Sequence, residues 1–161
     1  LETKEVKRIR EFVIAIDTSG SVQGELVQAF IQKTYNILIQ TENFFRKINL
    51  HIIQCDADIR QDVKITNPEE FEEYIQTMIL HGFGGTDFRP VFNYVDKLID
   101  EQEFTNLKGL IYFTDGYGTY PEREPDYETA FVFLDEYCLE EPQVPYWAIK
   151  LVLNADELKG E

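Results

Sequence analysis

Short apolar runs alternate with stretches of helical periodicity along the chain. FVIAI (12–16) is a continuous apolar run of the length expected for a strand covered on both faces. Past a polar turn, Val27, Phe30, Ile31 and Leu38 fall on one face at helical spacing. INLHIIQC (48–55) predicts a second strand, and the alternation in IRQDVKI (59–65) predicts a third. The DAD link between them is short enough for a hairpin, so the third strand is expected antiparallel at a sheet edge. Pro68 opens a helix where its missing N–H costs least, with Phe71, Ile75, Met78 and Ile79 as the buried stripe. After the glycine-rich HGFGGTD (81–87), Pro90 opens another helix, carrying Val91, Val95, Leu98 and Ile99. GLIYFT (109–114) predicts the next strand. The polar DGYGTYPEREPD then leads to a helix through Tyr127, Phe131, Leu134 and Cys138 and a last strand from Tyr146 to Leu153.

Strands alternating with helices predict an α/β domain, a doubly wound and mostly parallel sheet flanked by helices on both faces. At 161 residues one domain is expected, spanning 11–153, with 1–10 a linker or tail from a preceding region and 154–161 a C-terminal tail. The chain opens at Leu1 rather than Met, which reads as a domain cut from a longer protein. Composition narrows the function classes. With 43% hydrophobic and 14% aromatic residues the chain is too apolar for a disordered acidic tail. Its net charge of -15 repels phosphate backbones and anionic lipid, so neither nucleic acid nor membrane is expected as a partner. No apolar run nears the ~20 residues that cross a bilayer, and no signal peptide opens the chain. Cys55 and Cys138 read as buried thiols rather than a disulfide or zinc pair, and no Asn-X-Ser/Thr acceptor is present, which together favour a cytoplasmic setting.

In open sheets of this kind the loops at the carboxyl ends of the strands make the site. Three such loops offer oxygen. Asp17-Thr18-Ser19-Gly20-Ser21 follows the first strand, Thr86-Asp87 follows the glycine break, and Asp115-Gly116 follows the strand at 109–114. In an extended turn residues i, i+2 and i+4 project to one side, so Asp17, Ser19 and Ser21 can face a common point. Glycines 82, 84 and 85 let the Thr86 hydroxyl approach it from another loop. Hydroxyls mixed with carboxylates suit magnesium or manganese, ahead of calcium, and do not suit zinc. A plainer reading stands beside this one: Ser19 and Ser21 as helix caps, Asp87 as the cap before Phe88-Arg89-Pro90, and Asp115-Gly116 as an ordinary turn. His81 is expected at a helix end and His51 within a strand, both outside the site.

The pattern Asp-X-Ser-X-Ser after an apolar strand, then Gly-Gly-Thr-Asp, then a strand ending Thr-Asp-Gly resembles the von Willebrand factor type A family with its metal ion-dependent adhesion site. The likeness runs from about residue 11 to 153. It implies a Rossmann-like fold, a divalent ion and protein binding, with no catalysis by the domain. Carried over residue by residue, it makes Ser19, Ser21 and Thr86 hydroxyl ligands, with Asp17 and Asp115 holding the ion directly or through water. CDADI, GGTDFRPVF and YFTDGYG look most like the bacterial type A-like domains at the C-terminal end of larger proteins classed as metallopeptidases. The partner implied is a protein that offers an Asp or Glu carboxylate to the ion.

Three rivals remain. An aspartic protease needs Asp, Thr and Gly consecutive, whereas Ser19 intervenes here and the strand pattern is parallel. Asp56 and Asp58 form a DXD after the second strand, the nucleophile and acid/base pair of a magnesium-dependent phosphoryl-transfer enzyme of the haloacid dehalogenase type. The third is an interaction domain that holds no ion.

Overall fold

The computed structural model describes residues 9–17, 24–40, 47–81, 85–114, 117–135, 138 and 140–159, the last without its side chain. Strand β1 (Ile9–Asp17) is followed by helix α1 (Gly24–Gln40) and then by β2 (Lys47–Cys55) and β3 (Ile59–Ile65). Helices α2 (Pro68–Thr77) and α3 (Arg89–Asp100) precede β4 (Leu107–Thr114), and β5 (Glu128–Leu134), β6 (Ile149–Leu153) and α4 (Ala155–Lys159) complete the order. The six strands form one sheet in the order β3-β2-β1-β4-β5-β6. Every neighbouring pair is parallel except β2 and β3, whose antiparallel ladder places β3 at an edge as the short DAD link requires.

Two apolar layers sandwich the sheet. Ile14 and Ile16 of β1 face one way, onto Val27, Phe30, Ile31 and Leu38 of α1 and Phe71 of α2. Val13 and Ala15 face the other way, onto Phe88 and onto Val91 and Val95 of α3. The alternation follows from the two-residue period of a strand. Both faces of β1 are therefore buried, which explains its unbroken apolar run. None of the described helices is long and apolar enough to cross a membrane.

Two predicted elements are different in the structure. Residues 128–134 are not a helix but β5, hydrogen-bonded between β4 and β6. Phe131 and Phe133 enter the α3 layer while Val132 and Leu134 enter the α1 layer, so the segment is buried on both faces. The last strand starts at Ile149 rather than Tyr146, because Pro145 to Ala148 form a turn closed by the Ala148 amide on Pro145 O. Helix α2 stops at Thr77, which leaves Met78 and Ile79 beyond its end and Ile79 70% exposed. Residues 155–159 form the short α4, whose Leu158 is buried against the α1 layer.

Helix α3 ends in a Schellman turn. Gln102 takes a positive φ of 67°, its amide donates to Ile99 O, and the Glu103 amide donates to Leu98 O. The turn delivers Glu103 to His51. The two imidazole nitrogens lie 2.9 Å from Asp62 Oδ1 and 2.9 Å from Glu103 Oε2. Lys64 Nζ also reaches Glu103, the Tyr94 hydroxyl donates to Asp62 Oδ2, and the Phe104 ring meets the imidazole edge-on. His51 is structural, as its strand position implied, and through Glu103 and Asp62 it ties the turn after α3 to the β2–β3 hairpin.

Candidate functional site

Strand order sets the site's position. From β1 the chain adds strands on one side through β2 and on the other through β4, so the order reverses between β1 and β4. A crevice opens there at the carboxyl ends. Asp17 is the last residue of β1, and its register partners are Cys55, which ends β2, and Thr114, which ends β4. Asp17 and Thr114 are both 0% exposed. Adjacent strands lie about 4.8 Å apart, so Asp17 stands beside the point where the chain leaves Thr114 for Asp115. Ser19, Ser21 and Asp115 themselves lie outside the described residues.

Beneath Asp17 the structure has a floor that the sequence reading did not contain. Cys55 and Tyr112 project from β2 and β4 to the same face, with Cys55 Sγ 3.4 Å from the Tyr112 hydroxyl and donating to Ile16 O at 3.4 Å. Burial drives the Cys55 thiol far above its usual range, and the Asp17 and Asp56 carboxylates raise it further against the opposing Tyr112 hydrogen bond. Burial likewise raises the Tyr112 phenol, with Cys55, Asp17 and Asp87 adding to it. Both groups stay neutral. The negative charge at this end of the sheet therefore resides on carboxylates.

Thr86 belongs to a loop held on both flanks. Upstream, the buried Gln54 side chain donates from Nε2 to Ile79 O at 3.0 Å and accepts the His81 amide on Oε1 at 2.8 Å. His81 therefore lies past the end of α2 and is fixed through its backbone, not as a partner of the helix end. Downstream, the Phe88 amide donates to Thr119 O at 3.1 Å, and the fully buried Phe88 ring packs on Tyr112, Tyr120 and Phe131. The loop leaving β4 passes so close that a Cβ on Gly118 would lie 2.9 Å from the Thr86 methyl and 3.2 Å from the Phe88 ring. Only glycine fits there without a shift. Asp87 is not the cap, since Phe88 occupies the N-cap position without a side-chain cap bond; Asp87 sits one residue earlier, where its Oδ1 accepts the Arg89 amide and its carboxylate binds the Arg89 guanidinium. That pairing holds the Asp87 carboxyl below its usual range.

Asp56 is committed to the hairpin. Its Oδ1 accepts the Asp58 amide at 3.0 Å and Arg60 Nε at 2.9 Å, which closes the turn between β2 and β3. Among the described residues no group of three His, Cys, Asp or Glu side chains is gathered as a metal cluster. The carboxylate of Asp17 and the hydroxyl of Thr86 are donor types that fit a hard cation.

Solved structures resemble this chain in fold. The SpRpn10 VWA domain is 9% identical, with a TM-score of 0.59 over 93% of each chain. Proximal thread matrix protein 1 from the mussel byssus is 12% identical with a TM-score of 0.60, over 96% of this chain and 44% of that one. BatB from Bacteroides thetaiotaomicron, described as a conserved hypothetical protein, is 14% identical with a TM-score of 0.55, over 93% of this chain and 94% of the other. At these identities the likeness concerns the fold alone. No curated protein matches in sequence. One family model, described as VWA-like domain (DUF2201), matches residues 12–154, and with the six-stranded sheet and the loops at its switch point it shows that the chain belongs to the VWA-like domain family.

Proposed function

We propose that this domain is a protein-binding module that uses a divalent cation, magnesium or manganese, to engage a carboxylate of its partner. One observation carries the reading: Asp17 ends β1 beside Thr114 of β4 at the switch point, and the Thr86 loop packs against the chain that leaves β4. These placements support a site built from oxygen donors on separate segments at the strand ends. In this reading Asp17, Ser19, Ser21, Thr86 and Asp115 hold the ion, and a bound ion supplies a positive charge with a coordination position open to a partner's Asp or Glu. Asp17 and Thr86 anchor opposite sides, while the buried aromatic layer under Phe88 keeps them from spreading. The domain itself is read as non-catalytic. Asp56, the nucleophile of a phosphoryl-transfer reading, has its carboxylate engaged by its own hairpin.

Thermal unfolding with and without magnesium tests the proposal. A cation that binds only the folded state adds about 2.7 kcal/mol at 100 times its Kd. The wild type should gain that stability, and Asp17→Ala and Thr86→Ala should lose the gain while unfolding cooperatively without magnesium. An unshifted wild type would instead favour an interaction domain that holds no ion.

A further inference from the structure

Next to the candidate site, α3 and the chain from Thr119 to Tyr127 enclose a cleft of about 420 Å3. It starts where the site ends, because Arg89, which grips Asp87, and Thr119, which accepts the Phe88 amide, both line it. One buried group in its wall is not accounted for by the fold. Tyr127 is only 8% exposed, yet its hydroxyl has no hydrogen-bond partner among the described residues. Burial raises its pKa, and the carboxylates of Asp96 and Asp126 raise it further, which places the phenol among acids. Asp96 is an exposed carboxylate of the lining, raised by partial desolvation, with Asp100 and Asp126 adding to that against Arg123.

The charge of the lining is unbalanced. Asp96, Glu122, Glu124 and Asp126 face Arg89 and Arg123, and Arg89 is already bonded to Asp87. We propose that this cleft receives an arginine side chain of the protein partner, a specificity pocket beside the cation site. The inference rests on the reading of the domain as a protein-binding module. A guanidinium is a donor-only, planar cation, so it can serve a carboxylate and a phenol oxygen at once while its face lies on an aromatic ring. Tyr120, half-buried in the wall, supplies such a ring. A lysine ammonium offers neither the fork nor the flat face. The cleft also answers a long-range difficulty: a chain of net charge -15 repels an acidic partner, and a basic side chain next to the partner's carboxylate offsets that repulsion.

The test uses N-acetyl-argininamide as the probe, titrated into the protein in EDTA and followed by amide NMR. Working without divalent ions separates this result from that of the magnesium experiment. Saturable shifts are expected at Asn93, Asp96 and Tyr127. N-acetyl-citrullinamide, the neutral isostere, and N-acetyl-lysinamide should each bind at least about tenfold more weakly, the scale of one lost charge-assisted hydrogen bond. Asp96→Asn and Tyr127→Phe should each weaken the arginine probe by several-fold while the amide spectrum stays folded. Absence of saturable shifts at the cleft, equal binding of the citrulline or lysine probe, or affinity untouched in both variants overturns the proposal.

Discussion

Gly118 makes the sharpest prediction for a single residue. An added Cβ would lie 2.9 Å from the Thr86 methyl, and the simplest relief is rotation of Thr86 about its Cα–Cβ bond. In the cation reading proposed above, that rotation carries the ligand hydroxyl off its position. Gly118→Ala should therefore cut magnesium affinity about tenfold or more, an effect on the order of 1.4 kcal/mol, with a much smaller loss of stability in the metal-free protein. Isothermal titration of magnesium, paired with urea unfolding in EDTA, separates the two effects; equal affinity in both proteins would remove Thr86 from the ligand set. Nothing in the sequence singled out this glycine, because its constraint comes from Thr86 and Phe88, some thirty residues earlier in the chain. Asp17 was legible, since an acid directly after a two-faced apolar strand must emerge at the strand's end. Cys55 and Tyr112 were not, because their meeting depends on the register of β2 and β4 against β1.

At the scale of elements, the misread segment at 128–134 shows how periodicity misleads. Tyr127, Phe131, Leu134 and Cys138 fit a helical face, but AFVFL (130–134) is also a short, aromatic and β-branched run of strand length. Spacing cannot separate the two in so short a run, whereas length and residue type favour the strand. Strands β1, β2, β3 and β4 were legible because each apolar run is bounded by polar turns. His51 joins elements distant in sequence and carries a pH dependence. Burial opposes its charge, but hydrogen bonds to Asp62 and Glu103 outweigh burial and raise its pKa. Its contribution to stability is thus complete below about pH 6.5, the unfolded value, and fades as pH rises through the higher folded value. Glu103 behaves oppositely: hydrogen bonds from Lys64 and His51 lower its pKa, so its contribution holds above about pH 4.3 and fades as pH falls through the folded value. The stability gap between wild type and His51→Gln should be widest between about pH 4.3 and 6.5 and shrink toward alkaline pH, as read by urea unfolding across that range. A gap independent of pH would mean that the imidazole acts through packing alone.

For the whole molecule, the charge of -15 is carried mostly at the surface, and among the described residues Glu11, Asp17 and Asp56 are the buried carboxylates. Compaction crowds those charges, and salt relieves their repulsion. Raising ionic strength from about 0.01 M to 0.15 M shortens the screening length from roughly 30 Å to 8 Å and should raise the melting temperature of the metal-free domain, measured calorimetrically with sodium chloride. An unchanged melting temperature would show that the acids are spaced too widely to matter. The α/β class and the edge hairpin were readable from strand and loop order alone. Which loops touch was not, since contacts across the sheet end depend on packing. The Gln54 amide illustrates what such packing achieves. By answering both Ile79 O and the His81 amide it stands in for a missing neighbouring strand, while Thr119 does the same beyond the loop at Phe88. In the proposed reading, a ligand at Thr86 would bind between two moorings set during folding, at His81 and at Phe88, and that lowers the ordering cost of recognition.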